Sequence, residues 1–347
     1  MKFNVNEGYL RDILAQPAAL SATHDYLAIS FAQTKLFEQF NSGKFRQIVL
    51  TGMGSSYFLF YPFYYELVKQ SIPVTLMESA ELVHYASELI QPDTLIITAS
   101  QSGNSAETLH LLEINSSVGA TVIGVTNTAG SALANKANLA LITQAGPEAT
   151  VACKTYSTAL LALYWLQEGF LGRDLTIASK ETSIAGELVQ TYLASWQDHV
   201  QFFKNELVGK TNYFICGRGP SLAAVMSGGL TAKEATITPV EGMSCAAFRH
   251  GPKELARSDS FILIYEGLEK TRALNRVLAN ELSAQGADVA WISKSSTTPA
   301  YKLPHGPACL SPIFESLPSQ MFNLALADLT DHIAGTFEHV TKVTAVE

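Results

Sequence analysis

The sequence is short of charge and of cysteine. Only 16% of its 347 residues are Asp, Glu, Lys or Arg, against about 25% in an ordinary globular chain. The 47% that are hydrophobic exclude a disordered chain, because there is ample apolar material for cores. The four cysteines, Cys153, Cys216, Cys245 and Cys309, lie far apart. No Cys-x-x-Cys pair or Cys/His cluster occurs, which argues against a zinc site and against a disulfide framework. There is no basic stripe, and the formal net charge is −8, which argues against a nucleic-acid partner. No apolar run reaches the ~18 residues of a membrane span. The first residues lack the apolar stretch of a secretory signal, so the expected setting is the cytoplasm.

What is present is a duplication of long period. Gln47–Ser56 reads as a buried strand followed by a Gly-x-Gly turn, and Asn212–Ser221 reads the same way. Gly52 and Gly217 lie 165 residues apart. The strand-like runs Thr94–Ser100 and Thr121–Thr126 are matched in order by Ser260–Glu266 and Asp288–Ser293 at nearly the same offset. Each run is continuously apolar, the pattern of a parallel strand covered on both faces. Between them, Phe58–Gln70, Ser105–Val118, Leu222–Ala235 and Thr271–Gln285 have helical length and periodicity. The chain is therefore expected to hold two copies of one doubly wound α/β domain. Ile184–Leu207 is expected to form a long connecting helix and Pro318–Ile333 a closing one. The resulting division is an N-terminal helical segment (1–34), a first domain (35–175), a linking helix (176–210), a second domain (211–333) and a tail (334–347).

Sheets of this kind bind ligands at the carboxyl ends of their strands. The first strand ends in Gly52-Met-Gly-Ser-Ser56 and the second in Ser100-Gln-Ser-Gly-Asn-Ser105, with Thr108 beyond. Glycine lets the backbone approach a ligand, a helix N-terminus offers free N–H groups, and hydroxyls add donors. One such loop alone reads as simple helix capping by Ser55, Ser56 or Ser105. Two on neighbouring strands point to an anion site. The first loop completes neither a dinucleotide fingerprint, since position 57 is Tyr, nor a Walker loop. A small phosphorylated metabolite is the expected ligand, with no cofactor.

Ser100–Ser105, the segment Ala145–Ala152 and the duplication together resemble the double sugar-isomerase (SIS) family, over about residues 35–347, and in particular the isomerase half of glucosamine-6-phosphate synthase. The resemblance implies two tandem SIS domains, each a flavodoxin-like parallel sheet flanked by helices. It implies that Ser56, Ser100, Gln101, Ser102 and Ser105 hold a sugar phosphate and that Val151 approaches the sugar through its backbone. Position 2 is Lys and the first domain begins near residue 35, so the synthase's glutaminase domain is not expected.

Isomerising a sugar phosphate needs one group to open the ring and another to move a proton between C2 and C1. A histidine suits the first task and a carboxylate the second. Arg249-His250-Gly-Pro252 resembles the family's ring-opening histidine motif, and Glu234 aligns with its catalytic glutamate. The terminal stretch His339–Glu347 resembles the family's closing tail, with Lys342 at the position of its lysine. His84 and His110 read as surface or packing residues. A homodimer is implied, because in such enzymes the histidine loop reaches the neighbouring subunit's site. Departures accompany the match. Ser227 and Thr231 replace a glutamate and a lysine, and Cys153-Lys-Thr155 departs from the usual order. The expected activity is phosphosugar isomerisation or amino-sugar-phosphate deamination, without a metal. A fructosamine-6-phosphate-type deglycase and a non-catalytic sugar-phosphate sensor are the alternatives.

Overall fold

The computed structural model describes residues 3–31 and 35–342. These divide into two compact units, each with one parallel sheet. The first unit gathers residues 18–147, 153–186 and 340–342; the second gathers the N-terminal residues up to 17, the segment 148–152 and residues 187–339.

The first unit's strands are β1 (Gln47–Gly52), β2 (Val74–Glu78), β3 (Thr94–Ala99), β4 (Thr121–Thr126) and β5 (Leu139–Ile142). Their order is β2-β1-β3-β4-β5, parallel throughout, the flavodoxin-like order, in which the ligand position is the β1/β3 switch point. Every residue of β3 and β4 is buried, as their uninterrupted apolar runs require. Val49, Ile96 and Val122 pack with Leu82, Leu111 and Leu133 in one core layer. Helix Lys154–Phe170 is almost wholly buried and packs on β4 and on helix Tyr61–Lys69.

The second unit's strands are β6 (Asn212–Gly217), β7 (Val240–Ser244), β8 (Ser260–Tyr265) and β9 (Asp288–Ile292), in the order β7-β6-β8-β9, again parallel. The N-terminal segment is built into this unit. Asn6 caps helix Glu7–Leu14 through the N–H groups of Gly8 and Tyr9. Val5 bridges to Ala334, and the Gln16 amide donates to Gln320 Oε1 over 2.8 Å in the interior.

The expected elements are present with three differences. Strands β2, β5 and β7 were not anticipated. They are short, partly exposed edge strands and lack the continuous apolar run by which a central strand is read. The expected helix Ile184–Leu207 is two helices, Ala185–Leu193 and Trp196–Glu206. The closing helix begins at Ser311 and runs to Leu329, so Pro318 lies inside it rather than at its start. Proline has no N–H to donate, so the Phe314 carbonyl loses its usual helical partner; one residue on, the Tyr265 hydroxyl donates to the Glu315 carbonyl.

Helix Leu222–Thr236 lies unusually close to β7. A Cβ on Gly229 would stand 2.5 Å from the Gly242 nitrogen, and one on Gly242 would stand 2.3 Å from the Val225 carbonyl oxygen. Both obstacles are backbone and cannot rotate away. Gly242→Ala is therefore expected to cost roughly 1–3 kcal/mol through overpacking, read as a lower Tm in thermal unfolding. An unchanged Tm would show that the helix can lift off the strand at no cost.

The second Gly-x-Gly turn has a different environment from the first. Ser221 donates its hydroxyl to Glu315 Oε1 over 2.9 Å, and Arg218 Nε donates to Asn275 Oδ1. Burial pushes the Glu315 carboxyl up to about 7. A carboxyl raised in the fold holds its proton there while the unfolded chain gives it up. Its contribution is thus intact below the ordinary carboxylate range and is lost as pH rises to about 7. Glu315→Gln keeps an acceptor for Ser221 and removes that titration. Its Tm should equal the parent's at pH 4 and exceed it by a margin that grows to pH 7 and then levels, on the order of 3 kcal/mol. A constant difference across that range would show that Glu315 does not titrate there.

Candidate functional site

The two serine loops lie at the switch point of the first unit. Gly52 is in register with Ala99, so the loops leave adjacent strand ends at one level. Gly52 permits the close turn: a Cβ there would stand 2.5 Å from the Ser56 carbonyl oxygen and 3.0 Å from that of Ala99. Gly54 and Gly103 have positive φ, +52° and +63°, the conformation glycine adopts without strain. Ser105 is the N-cap of helix Ala106–Val118, but its hydroxyl pairs with Thr108 Oγ1 at 2.8 Å and does not cap the helix. The first-turn N–H groups of that 13-residue helix thus have no side-chain cap, as an anion site requires. Ser56, Gln101, Ser102 and Ser105 are half-buried, and Ser100 is buried.

The second loop is braced by the segment after β4, which the sequence did not single out. The Gln101 carbonyl accepts from the Asn127 N–H and from the hydroxyls of Thr126 and Thr128. Asn104 Oδ1 accepts from the Ala132 N–H, and the Ser100 hydroxyl accepts from the Gly103 N–H. A Cβ on Gly103 would overlap Ser131 Oγ at 2.2 Å. The loop is therefore fixed in advance, with its hydroxyls presented from a rigid frame. Polar residues just past the end of β4, where a doubly wound sheet carries its site loops, were the available signal.

In the second unit, Glu234 lies half-buried on helix Leu222–Thr236. That helix ends at Ile237 in the left-handed region, φ +51°, a conformation that is costly for a β-branched residue. Its neighbour Lys233 pairs with Glu241 of β7 at 3.3 Å. Past β7, Ser244 caps the short helix Cys245–Arg249 through the Ala247 N–H. His250 follows with an exposed ring and its backbone N–H donating to the Ala247 carbonyl. Arg249 clamps Glu281 with two bonds of 2.8 and 3.1 Å, and Lys253 adds a third of 2.6 Å. These two cations hold the Glu281 carboxyl down to about 2. The histidine loop is thus tied at both sides of His250 while the imidazole remains free to meet a ligand.

Ser227 and Thr231 are buried on the same helix as Glu234. Thr231 donates to the Gly228 carbonyl and accepts from Asn323 of helix Ser311–Leu329. Ser227 and Thr231 both place neutral hydroxyls in the interior, where the resemblance leads to the expectation of a glutamate and a lysine. Val151 is buried, and the N–H of nearby Ala149 donates to the buried Asp12. Lys342 is half-buried and is the last described residue; the rest of the expected tail match lies outside the described residues. His84 and His110 pack ring to ring, with centroids 5.2 Å apart. Among the described residues, no group of three or more His, Cys, Asp or Glu side chains could hold a metal ion, and no helix is long and apolar enough to cross a membrane.

Residues 44–167, the stretch that carries both serine loops, match the SIS domain family model. The sequence as a whole is 28% identical over 317 residues to the isomerizing glutamine–fructose-6-phosphate aminotransferase of Pyrococcus horikoshii, covering 88% of this chain and 52% of that protein. It is 29% identical over 295 residues to the Clostridium perfringens enzyme of the same name, covering 80% and 48%. The chain spans about half the length of the curated relatives it matches. Among solved structures, the C-terminal domain of glucosamine-fructose-6-phosphate aminotransferase from Francisella tularensis superposes with a TM-score of 0.82 at 23% identity, covering 93% of this chain and 96% of that one. Tagatose-6-phosphate ketose/aldose isomerase from Escherichia coli gives 0.80 at 19%, covering 96% of each. Glucosamine-6-phosphate deaminase from Thermotoga maritima gives 0.77 at 21%, covering 98% and 100%. The fold is the α/β arrangement these proteins share.

Proposed function

We propose that this chain is an enzyme acting on an amino-sugar or ketose 6-phosphate, by ring opening and proton transfer between C1 and C2. The observation that carries the reading is the pair of rigid, neutral serine loops at the β1/β3 switch point, inside the stretch that matches the SIS domain. Similarity to isomerases and a deaminase supports it. So does the repetition, in β7-β6-β8-β9, of the order of the first four strands of the other sheet, which favours a second SIS domain.

In this reading Ser56, Ser100, Gln101, Ser102 and Ser105 bind the phosphate and thereby position the sugar. Neutral donors suit that task, since the dianion keeps its charge while its oxygens are satisfied. His250 moves the proton from O1 to O5 that opens the ring. Glu234 takes the C2 proton, the electron pair forms the C1–C2 double bond as O1 takes up a proton, and the enediol (or, for a 2-amino sugar, enolamine) then loses the proton on its C2 oxygen or nitrogen as Glu234 returns a proton to C1. Deamination shares these steps and ends with water adding at C2 and ammonia leaving. Val151 lines the sugar through its backbone, and Lys342 supplies a further catalytic group at the sugar. The exposed His250 ring fits a homodimer in which that loop serves the neighbouring subunit's site.

The test is a panel of hexose and hexosamine 6-phosphates in deuterated buffer followed by NMR. Deuterium entering C2 or C1, with an isomer or ammonia appearing, is the expected result. Binding without exchange would make the protein a sensor, and neither binding nor exchange would end the reading.

A further inference from the structure

Glu78 ends β2, and its Cα is in register with Gly52, the residue at which β1 gives way to the first serine loop. Gly52 is in register on its other side with Ala99, which leads into the second loop. Three adjacent strand ends thus lie level, at spacings of about 4.8 Å. Two open into neutral hydroxyl loops and the third ends in a carboxylate. Glu78 is half-buried. It precedes helix Ser79–Tyr85 yet makes no capping bond to it, and its carboxylate has no hydrogen bond and no ion pair with a cation among the described residues.

Two phenols lie within electrostatic reach of this carboxylate. Tyr57, directly after the serine pair of the first loop, hydrogen-bonds Tyr61, and the charge of Glu78 acts on both. The Tyr57 and Tyr61 ring centroids are 6.3 Å apart, and Tyr61 stacks on Tyr65 at 6.3 Å. Burial, then Tyr61 and Glu78, push the Tyr57 phenol up to about 12. The phenols stay neutral, and nothing in the cluster balances the carboxylate.

A bare carboxylate one strand from a phosphate site repels the phosphate. A ligand that carries both a phosphate and a cation reverses the sign of that interaction. A carboxylate flanked by aromatic rings is also the chemistry that recognises an ammonium, through a charge-assisted hydrogen bond and cation–π contact. We propose that Glu78, with Tyr57 and Tyr61, is a recognition site for a cationic amine carried on the phosphosugar. The inference rests on the function proposed above and narrows it to amine-bearing substrates. The amine has two possible sources: the amino group of a 2-amino sugar, or the secondary amine that joins a sugar to another molecule in a deglycase substrate.

Calorimetry on the full chain separates them. One pair of ligands is glucosamine 6-phosphate and glucose 6-phosphate. The other is fructose 6-phosphate and its 1-deoxy-1-propylamino derivative. The cationic member of one pair should bind about tenfold more tightly than its neutral partner, the equivalent of ~1.4 kcal/mol, with the preference falling as salt rises. The pair that shows it identifies the source of the amine. Glu78→Gln, checked for an unchanged Tm, should abolish the preference while binding the neutral sugar phosphate as tightly as the parent or more tightly. Equal weakening of neutral and cationic ligands by Glu78→Gln, or no amine preference in the parent, would overturn this inference and leave the proposed function standing. Failure to bind any of the four ligands would overturn both.

Discussion

Glu234→Gln is expected to bind the phosphosugar with parental affinity and to exchange its C2 hydrogen with solvent about 10²–10⁴-fold more slowly. The substitution is nearly isosteric and removes only the ability to take a proton. Glu234 lies half-buried on helix Leu222–Thr236, one turn before a strained left-handed C-cap. Strain of that kind persists where the surrounding structure over-determines the backbone. Here the close seating of Gly229 against Gly242 supplies that determination. The measurement is deuterium incorporation by NMR at saturating substrate, beside calorimetry for affinity. Exchange at the parental rate would remove Glu234 from the reaction and leave Glu241, exposed on β7 and paired with Lys233, as the next carboxylate to test.

The double variant Ser100→Ala, Ser102→Ala is expected to lose most of its affinity for 6-phosphosugars. Hydrogen bonds to a charged group contribute roughly 1.5–3 kcal/mol each, so the pair accounts for a loss of about 10²-fold or more. The two hydroxyls also act on the loop itself. Ser100 Oγ accepts from the Gly103 N–H and Ser102 Oγ from the Asn104 N–H, so their removal loosens the frame that the Thr126–Thr128 segment braces. Calorimetry with the phosphorylated and unphosphorylated sugar gives the reading. The variant should bind both equally weakly. An unchanged Kd for the phosphosugar, or a parent that binds the unphosphorylated sugar equally well, would place the phosphate elsewhere.

The sequence by itself determined the class of fold, because central parallel strands are buried on both faces and have to be written as continuous apolar runs. β1, β3, β4, β6 and β8 were legible for that reason, β9 was legible from its short apolar run although it lies at the sheet edge, and the two serine loops followed from their position at strand ends. Edge strands carry no such requirement. β2 and β7 accept Glu and Gly among their residues, and they became strands only through pairing with β1 and β6. Register then decided what no local pattern encodes. It set Gly52 level with Ala99 on one side and with Glu78 on the other, and so put a carboxylate beside the anion loops. The two Gly-x-Gly turns read alike as sequence, yet one opens into a hydroxyl-lined loop while the other directs Ser221 at the buried Glu315, 94 positions further along. Long-range partners of this kind depend on which elements pack together, and that is settled by the tertiary structure alone.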